Sequence, residues 1–204
     1  MASCMIHLYT GWLYAQKNAR LLRNPSFYLG CVMPDCVNVD GFADKETRWR
    51  AHVRAKDLSL WEKNAADFYH KNQGATFDAL LTGYTIHILT DILWDRYFHD
   101  SVWSRAREME PQQQNGFAPG WVECFRFDGE RMRSLWWQDT IRPFLEQAHP
   151  ESINGLPISL AEAYRRYLLY TYENTLPSEP PRILTLDHIR ALGEYLVQAA
   201  EKIF

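Results

Sequence analysis

The run from Gly83 to Asp95, GYTIHILTDILWD, most constrains what this chain can fold into. It lies in the longest uninterrupted helical pattern, about 75–98, with apolar residues on most of its circumference: Phe77, Leu80, Leu81, Tyr84, Ile86, Ile88, Leu89, Ile92, Leu93 and Phe98. A helix that is apolar nearly all round is a central, buried one. Yet Gly83, His87, Asp91 and Asp95 recur every four residues, which puts them on one stripe. An ionised carboxylate there costs several kcal/mol unless it is paired, hydrogen-bonded or bound to a metal. The rest of the chain has to supply what this stripe lacks.

The flanking pattern is helical throughout, with no strand alternation and no solenoid repeat. The expected fold is all-α: a bundle of about six to eight helices around the central one. With 204 residues the chain suits one domain. A candidate site half covers about 1–110, and C-terminal helices cover about 121–204. The first helix is expected over about 3–20. Asn24 and Pro25 signal the start of a short helix that ends near Met33-Pro34-Asp35. Residues 36–55 read as a surface loop, with Trp49 and His52 pointing inward from its far end. Ser59 with Glu62, and Ser159 with Glu162, read as capping boxes. The central helix has the option of running on through Trp103. Pro111 to Gly120 reads as a break, a helix through Trp136–Leu145 follows, and Thr185 caps the last one. Tyr164, Tyr167 and Tyr170 read as packing, and His70, His149 and His188 as surface residues.

The net charge of −3 provides no broad pull toward nucleic acid or an anionic surface. Cys4, Cys31, Cys36 and Cys124 form no CxxC pair and read as reduced thiols, which suits a cytoplasmic location. The N-terminal stretch reads as mature sequence rather than a signal peptide, and no window approaches a transmembrane span. GxGxxG, Walker A, GxSxG and HExxH patterns are all missing. What remains is His7, Asp35, His52, His87 and Asp91. Imidazole with carboxylate suits Zn²⁺ first among divalent ions. His87 and Asp91, one turn apart, can reach the same ion, Asp35 and His52 can complete it, and His7 can bind a second ion bridged by Asp91. Without a metal, the same pattern is a buried His–Asp hydrogen-bond network.

The run NPSFYLGCVMPD (24–35), then His52, then GYTIHILTD (83–91) resembles the zinc-dependent phospholipase C family, whose fold is shared with single-strand-specific nucleases. The resemblance covers about the first half of the chain. It implies Asp35, His52, His87 and Asp91 as one zinc site, with His7 matching the early histidine of a second. Secreted members also use a processed N-terminal amine and a later His-x-x-x-Glu, and neither His149 nor His188 has a Glu four residues on. The implied centre is therefore one or two Zn²⁺ rather than three. The function that follows is metal-dependent hydrolysis of a small-molecule or lipid phosphoester, with Asp35 as base toward water as well as a ligand. A non-catalytic helical protein with a structural metal site is the alternative. A minor one is an HD-type phosphohydrolase built on His99-Asp100. Asp95 has no assigned role, and Gly83 is expected to admit a close neighbour.

Overall fold

The computed structural model describes residues 1–74, 78–114 and 116–204. The expected start of the central helix at 75, with Phe77, lies outside them. Among the described residues the fold is all-α. There are eleven α-helices, seven of them eleven residues or longer, and no β-strand. In chain order these are α1 Cys4–Ala15, α2 Ala19–Leu22, α3 Pro25–Gly30, α4 Lys45–Ala51, α5 Leu58–Asn72, α6 Asp78–Tyr97, α7 His99–Met109, α8 Pro119–Met132, α9 Arg142–Gln147, α10 Ile158–Tyr170 and α11 Leu186–Ala200. A 3₁₀ turn at Met33–Asn38 follows α3, a π-helical turn at Trp137–Ile141 leads into α9, and a 3₁₀ turn at Tyr172–Thr175 follows α10.

Helix α6 is the axis of the fold. It packs against α1, α3, α5, α7 and α11, and every residue from Gly83 to Trp94 is buried. Its approach to α3 is backbone against backbone. A Cβ on Gly83 would lie 2.1 Å from the Phe27 carbonyl oxygen, and one on Gly30 would lie 2.3 Å from that of Leu80. Only glycine allows this crossing, so the close neighbour expected for Gly83 is α3. Gly83→Ala should therefore destabilise the fold by about 3 kcal/mol, the upper part of the usual overpacking range, because the obstruction is backbone and cannot rotate away. A guanidinium unfolding midpoint within error of the parent would refute this packing.

Several local expectations are corrected. The first helix stops at Ala15, and α2 starts afresh with Asn18 as its cap. Residues 36–55 are not a plain loop: Asp44 accepts a hydrogen bond from the Thr47 N–H and opens α4, whose C-cap is His52. Trp49 does not point inward. It is half-buried on the outer face, with Lys45 Nζ 4.6 Å from its ring centre. The cap of α5 is Asp57, not Ser59, and Glu62 pairs with Arg96 instead. Helix α10 has no side-chain cap, and Glu162 pairs with Arg165. The central helix ends at Tyr97, and α7 is a separate helix after Phe98. Pro119 does not belong to a break but starts α8, where a missing N–H costs nothing. Thr185 caps α11 as expected, with His188 completing the capping box.

All four cysteines are free and buried. Among the described residues no helix is long and apolar enough to cross a membrane.

Candidate metal centre

The five residues singled out above converge from four places in the fold. His7 comes from α1, Asp35 from the 3₁₀ turn after α3, His52 from the end of α4, and His87 and Asp91 from α6. His7 Nε2 lies 3.4 Å from Asp91 Oδ1. Asp91 Oδ2 lies 3.6 Å from His52 Nε2 and 3.8 Å from His87 Nε2. Asp35 Oδ1 is 3.4 Å from His52 Nε2. The His7 and His87 rings stack with centroids 3.6 Å apart. Four of the five residues are at most 1% exposed, and only Asp35, at 8%, reaches the surface.

Two imidazoles are aimed by the backbone. His87 Nδ1 is 2.8 Å from the Cys31 carbonyl oxygen, and His52 Nδ1 is 2.8 Å from that of Arg48. A carbonyl only accepts, so each Nδ1 carries a hydrogen, and in the neutral rings both Nε2 lone pairs face inward. They face each other at 3.1 Å. Two lone pairs at that distance repel unless a cation lies between them, either a proton or a metal ion. Ligand bonds of about 2.0–2.2 Å in tetrahedral geometry put ligand atoms about 3.3–3.6 Å apart, and the cluster's separations straddle that range.

The electrostatics suit a cation. Burial on its own would raise the Asp35 carboxyl. The His52 hydrogen bond and the neighbouring imidazoles outweigh burial and hold the carboxyl below its ordinary range. Burial likewise opposes ionisation of Asp91, and the Met1 ammonium with His7 holds it well below the carboxylate range. Burial lowers His87 to about 3, so it is neutral. His52 is raised despite burial, through its hydrogen bond and charge interactions with Asp35 and Asp91. Metal ligation requires neutral imidazoles, and the two carboxylates would then carry a charge of −2, which one divalent ion balances. Both ring nitrogens of His7, and Asp91 Oδ2, are buried with no hydrogen-bond partner. Such orphaned polar atoms are costly unless a ligand satisfies them. The buried group His7, His87 and Asp91, and likewise Asp35, His52 and His87, can each hold a metal ion.

Outer contacts fix this geometry. Tyr84, one turn before His87, donates its hydroxyl to the Ala51 carbonyl. The Asn154 amide donates to the carbonyls of Arg50 (3.0 Å) and Ala51 (3.2 Å), clamping the end of α4 just before His52. The Ala2 N–H donates to Asp91 Oδ1 at 2.7 Å. Asp95 stands outside the cluster: it accepts from the Met1 amino group at 2.8 Å and from Arg54. His99 and Asp100 pair with each other on the surface, where the Asp100 side chain is 98% exposed and unable to form a buried metal site.

Sequence reasoning missed two features. A cavity of about 330 Å³ lies beside the cluster, with Asp35 in its wall next to Phe42, Trp121, Phe125, Tyr164 and Tyr167. Tyr164 and Tyr167 thus line a cavity rather than only pack. A second buried acid, Asp128 of α8, accepts hydrogen bonds from Ser3 Oγ (2.6 Å), the Met5 N–H (3.2 Å) and Tyr172 Oη (2.5 Å). Aromatic enrichment at 117–125 was the available signal for the cavity. Compared with family models, curated proteins and solved structures, the chain matches none.

Proposed function

We propose that the protein is a metal-dependent phosphoesterase that uses zinc. The observation carrying this reading is the position of Asp35, which is buried but is the cluster's one acid that forms part of the cavity wall. A purely structural site has no need of such an opening. The donor set fits the ion: three imidazoles and two carboxylates, with orphaned atoms and a deficit of positive charge. His7, Asp35, His52, His87 and Asp91 would hold it, with His52 and His87 offering Nε2. When bound, zinc supplies a Lewis acid for a phosphoryl oxygen and brings the pKa of water toward neutrality. Asp35 Oδ1 accepts from Asn38 Nδ2 at 3.4 Å. Its carboxylate is ionised at neutral pH and takes the proton of the attacking water, with Oδ2 as the remaining oxygen.

The second reading, a structural metal site, is favoured by the near-complete burial of the other four groups. One experiment separates the two. Protein purified without chelator is analysed for metal and assayed on phosphomonoesters and phosphodiesters, before and after chelation and zinc restoration. The proposal expects one or two zinc ions per chain and hydrolysis that chelation removes and zinc restores. Bound metal whose removal lowers the melting temperature, with no turnover in either state, would leave only the structural reading. A protein that takes up no metal and hydrolyses nothing would overturn both.

A further inference from the structure

The cavity beside Asp35 carries information on substrate class that the cluster does not. Phe42, Phe117, Trp121 and Phe125 form a continuous aromatic wall: the Phe42 ring lies 6.3 Å from that of Phe117 and 5.8 Å from that of Trp121, and Trp121 stacks on Phe125 at 5.8 Å. Tyr164, Tyr167 and Tyr172 also line the cavity. Among the described residues no lysine, arginine or histidine side chain lines it, while Asp35 does. The Ser3 and Tyr172 hydroxyls in the lining are already engaged with Asp128, at 2.6 and 2.5 Å. An anionic group entering here would lose its hydration and meet the Asp35 carboxylate, which is unfavourable, and the Met1 ammonium in the lining is already paired with Asp95 at 2.8 Å. A rigid aromatic wall instead favours flat or compact apolar groups.

Size narrows the class further. A volume of about 330 Å³ is at the small end for ligand pockets. That size suits one ring system or one short chain better than two long acyl chains or a nucleotide carrying further phosphates.

Resting on the phosphoesterase reading, we infer that the cavity seats the alcohol-side group of the substrate. That group is a single, compact, uncharged apolar moiety. Its phosphate would sit at Asp35 and the cluster. The substrate class is therefore a phosphoester of a compact apolar or aryl alcohol, and this wall rather than the metal ligands sets the specificity.

Calorimetric titration of the zinc-loaded protein with non-hydrolysable phosphonates tests this by binding alone. The series is methyl-, butyl-, octyl-, phenyl-, 4-carboxyphenyl- and dihexadecylphosphonate. Affinity should rise about fourfold per added methylene over the part of the series the cavity can bury. It should fall at least tenfold from phenyl to 4-carboxyphenyl, and the two-chain ligand should gain nothing over octyl. Val39→Trp and Leu176→Trp, at half-buried lining positions, should erase the dependence on chain length and leave methylphosphonate binding unchanged. A flat series with methylphosphonate still bound would overturn the cavity assignment and leave the phosphoesterase reading standing. Continued rise through the two-chain ligand would overturn the size limit, and with it the substrate class. Failure of every phosphonate to bind would remove both readings together.

Discussion

His87→Ala is expected to leave a folded protein that binds no metal and has no metal-dependent turnover. His87 belongs to both groups able to hold an ion, the one with His7 and Asp91 and the one with Asp35 and His52. It stands 3.1 Å from His52 Nε2 and 3.8 Å from Asp91 Oδ2, so no other single residue is shared by both groups. Its loss also leaves the Cys31 carbonyl without its partner, which should cost about 1–3 kcal/mol of stability. The effect on metal must be larger than that of removing an outer contact. Asn154→Ala, which touches only the α4 carbonyls and the Tyr84 hydroxyl, should weaken zinc by about 10–100-fold. Competition with a chromophoric chelator measures both. If His87→Ala binds zinc as tightly as the parent, the ion is not in this cluster.

The all-α class and the convergence of the five residues were more legible in the sequence than the helix boundaries. His87 and Asp91 were readable because helical spacing put two ligand types on one face of a helix too apolar to leave a carboxylate alone. Asp35, His52 and His7 were readable only as the His and Asp residues remaining in the first half of the chain, because the chain folds back between them. The geometry that makes them a site comes from Gly30 and Gly83, whose missing side chains let the Cys31 carbonyl reach His87. Charge misled the reading elsewhere. Helix α4 was hidden because Lys45, Glu46, Arg48 and Arg50 look like a solvated loop, whereas helix α8 was hidden behind Pro119 and Gly120. Glu123, Arg126 and Asp128 of α8 look like an exposed face but are buried because each has a partner. Glu123 accepts from the backbone N–H groups of Arg182, Ile183 and Leu184, and Arg126 pairs with Glu110 at 3.0 Å. The false capping boxes share one cause. A Ser with Glu three residues on also fits inside a helix, where the glutamate can pair with a neighbouring arginine, as Glu162 does with Arg165.

Asp128 is expected to make stability fall as pH rises from about 4 to 7. Burial is the largest influence on its carboxyl and raises it from 3.8 to about 7, against the opposing hydrogen bonds from Ser3, Tyr172 and Met5. A carboxyl raised in the folded state holds its proton there while the unfolded chain has released it. Its contribution is therefore complete below the unfolded value and is lost as pH climbs through the folded one. At about 1.4 kcal/mol per pH unit, the loss over that window is about 4 kcal/mol. Protonated, the carboxyl can donate to the Tyr172 hydroxyl and accept from Ser3 and Met5. Asp128→Asn reproduces that pattern with no charge, its amide donating to Tyr172. Urea midpoints compared between parent and Asp128→Asn cancel every other titration in the molecule. The two should converge at pH 4, with the parent the less stable by about 4 kcal/mol above pH 7. Asp128→Ala should instead be destabilised by several kcal/mol at every pH, because Ser3, Tyr172 and the Met5 N–H all lose their acceptor. Parallel profiles for parent and Asp128→Asn would mean that the three donors outweigh burial and the carboxyl is ionised throughout. The outcome bears on the centre itself, because Ser3 and Met5 lie at the start of α1, and the first turns of α1 carry His7 to the cluster.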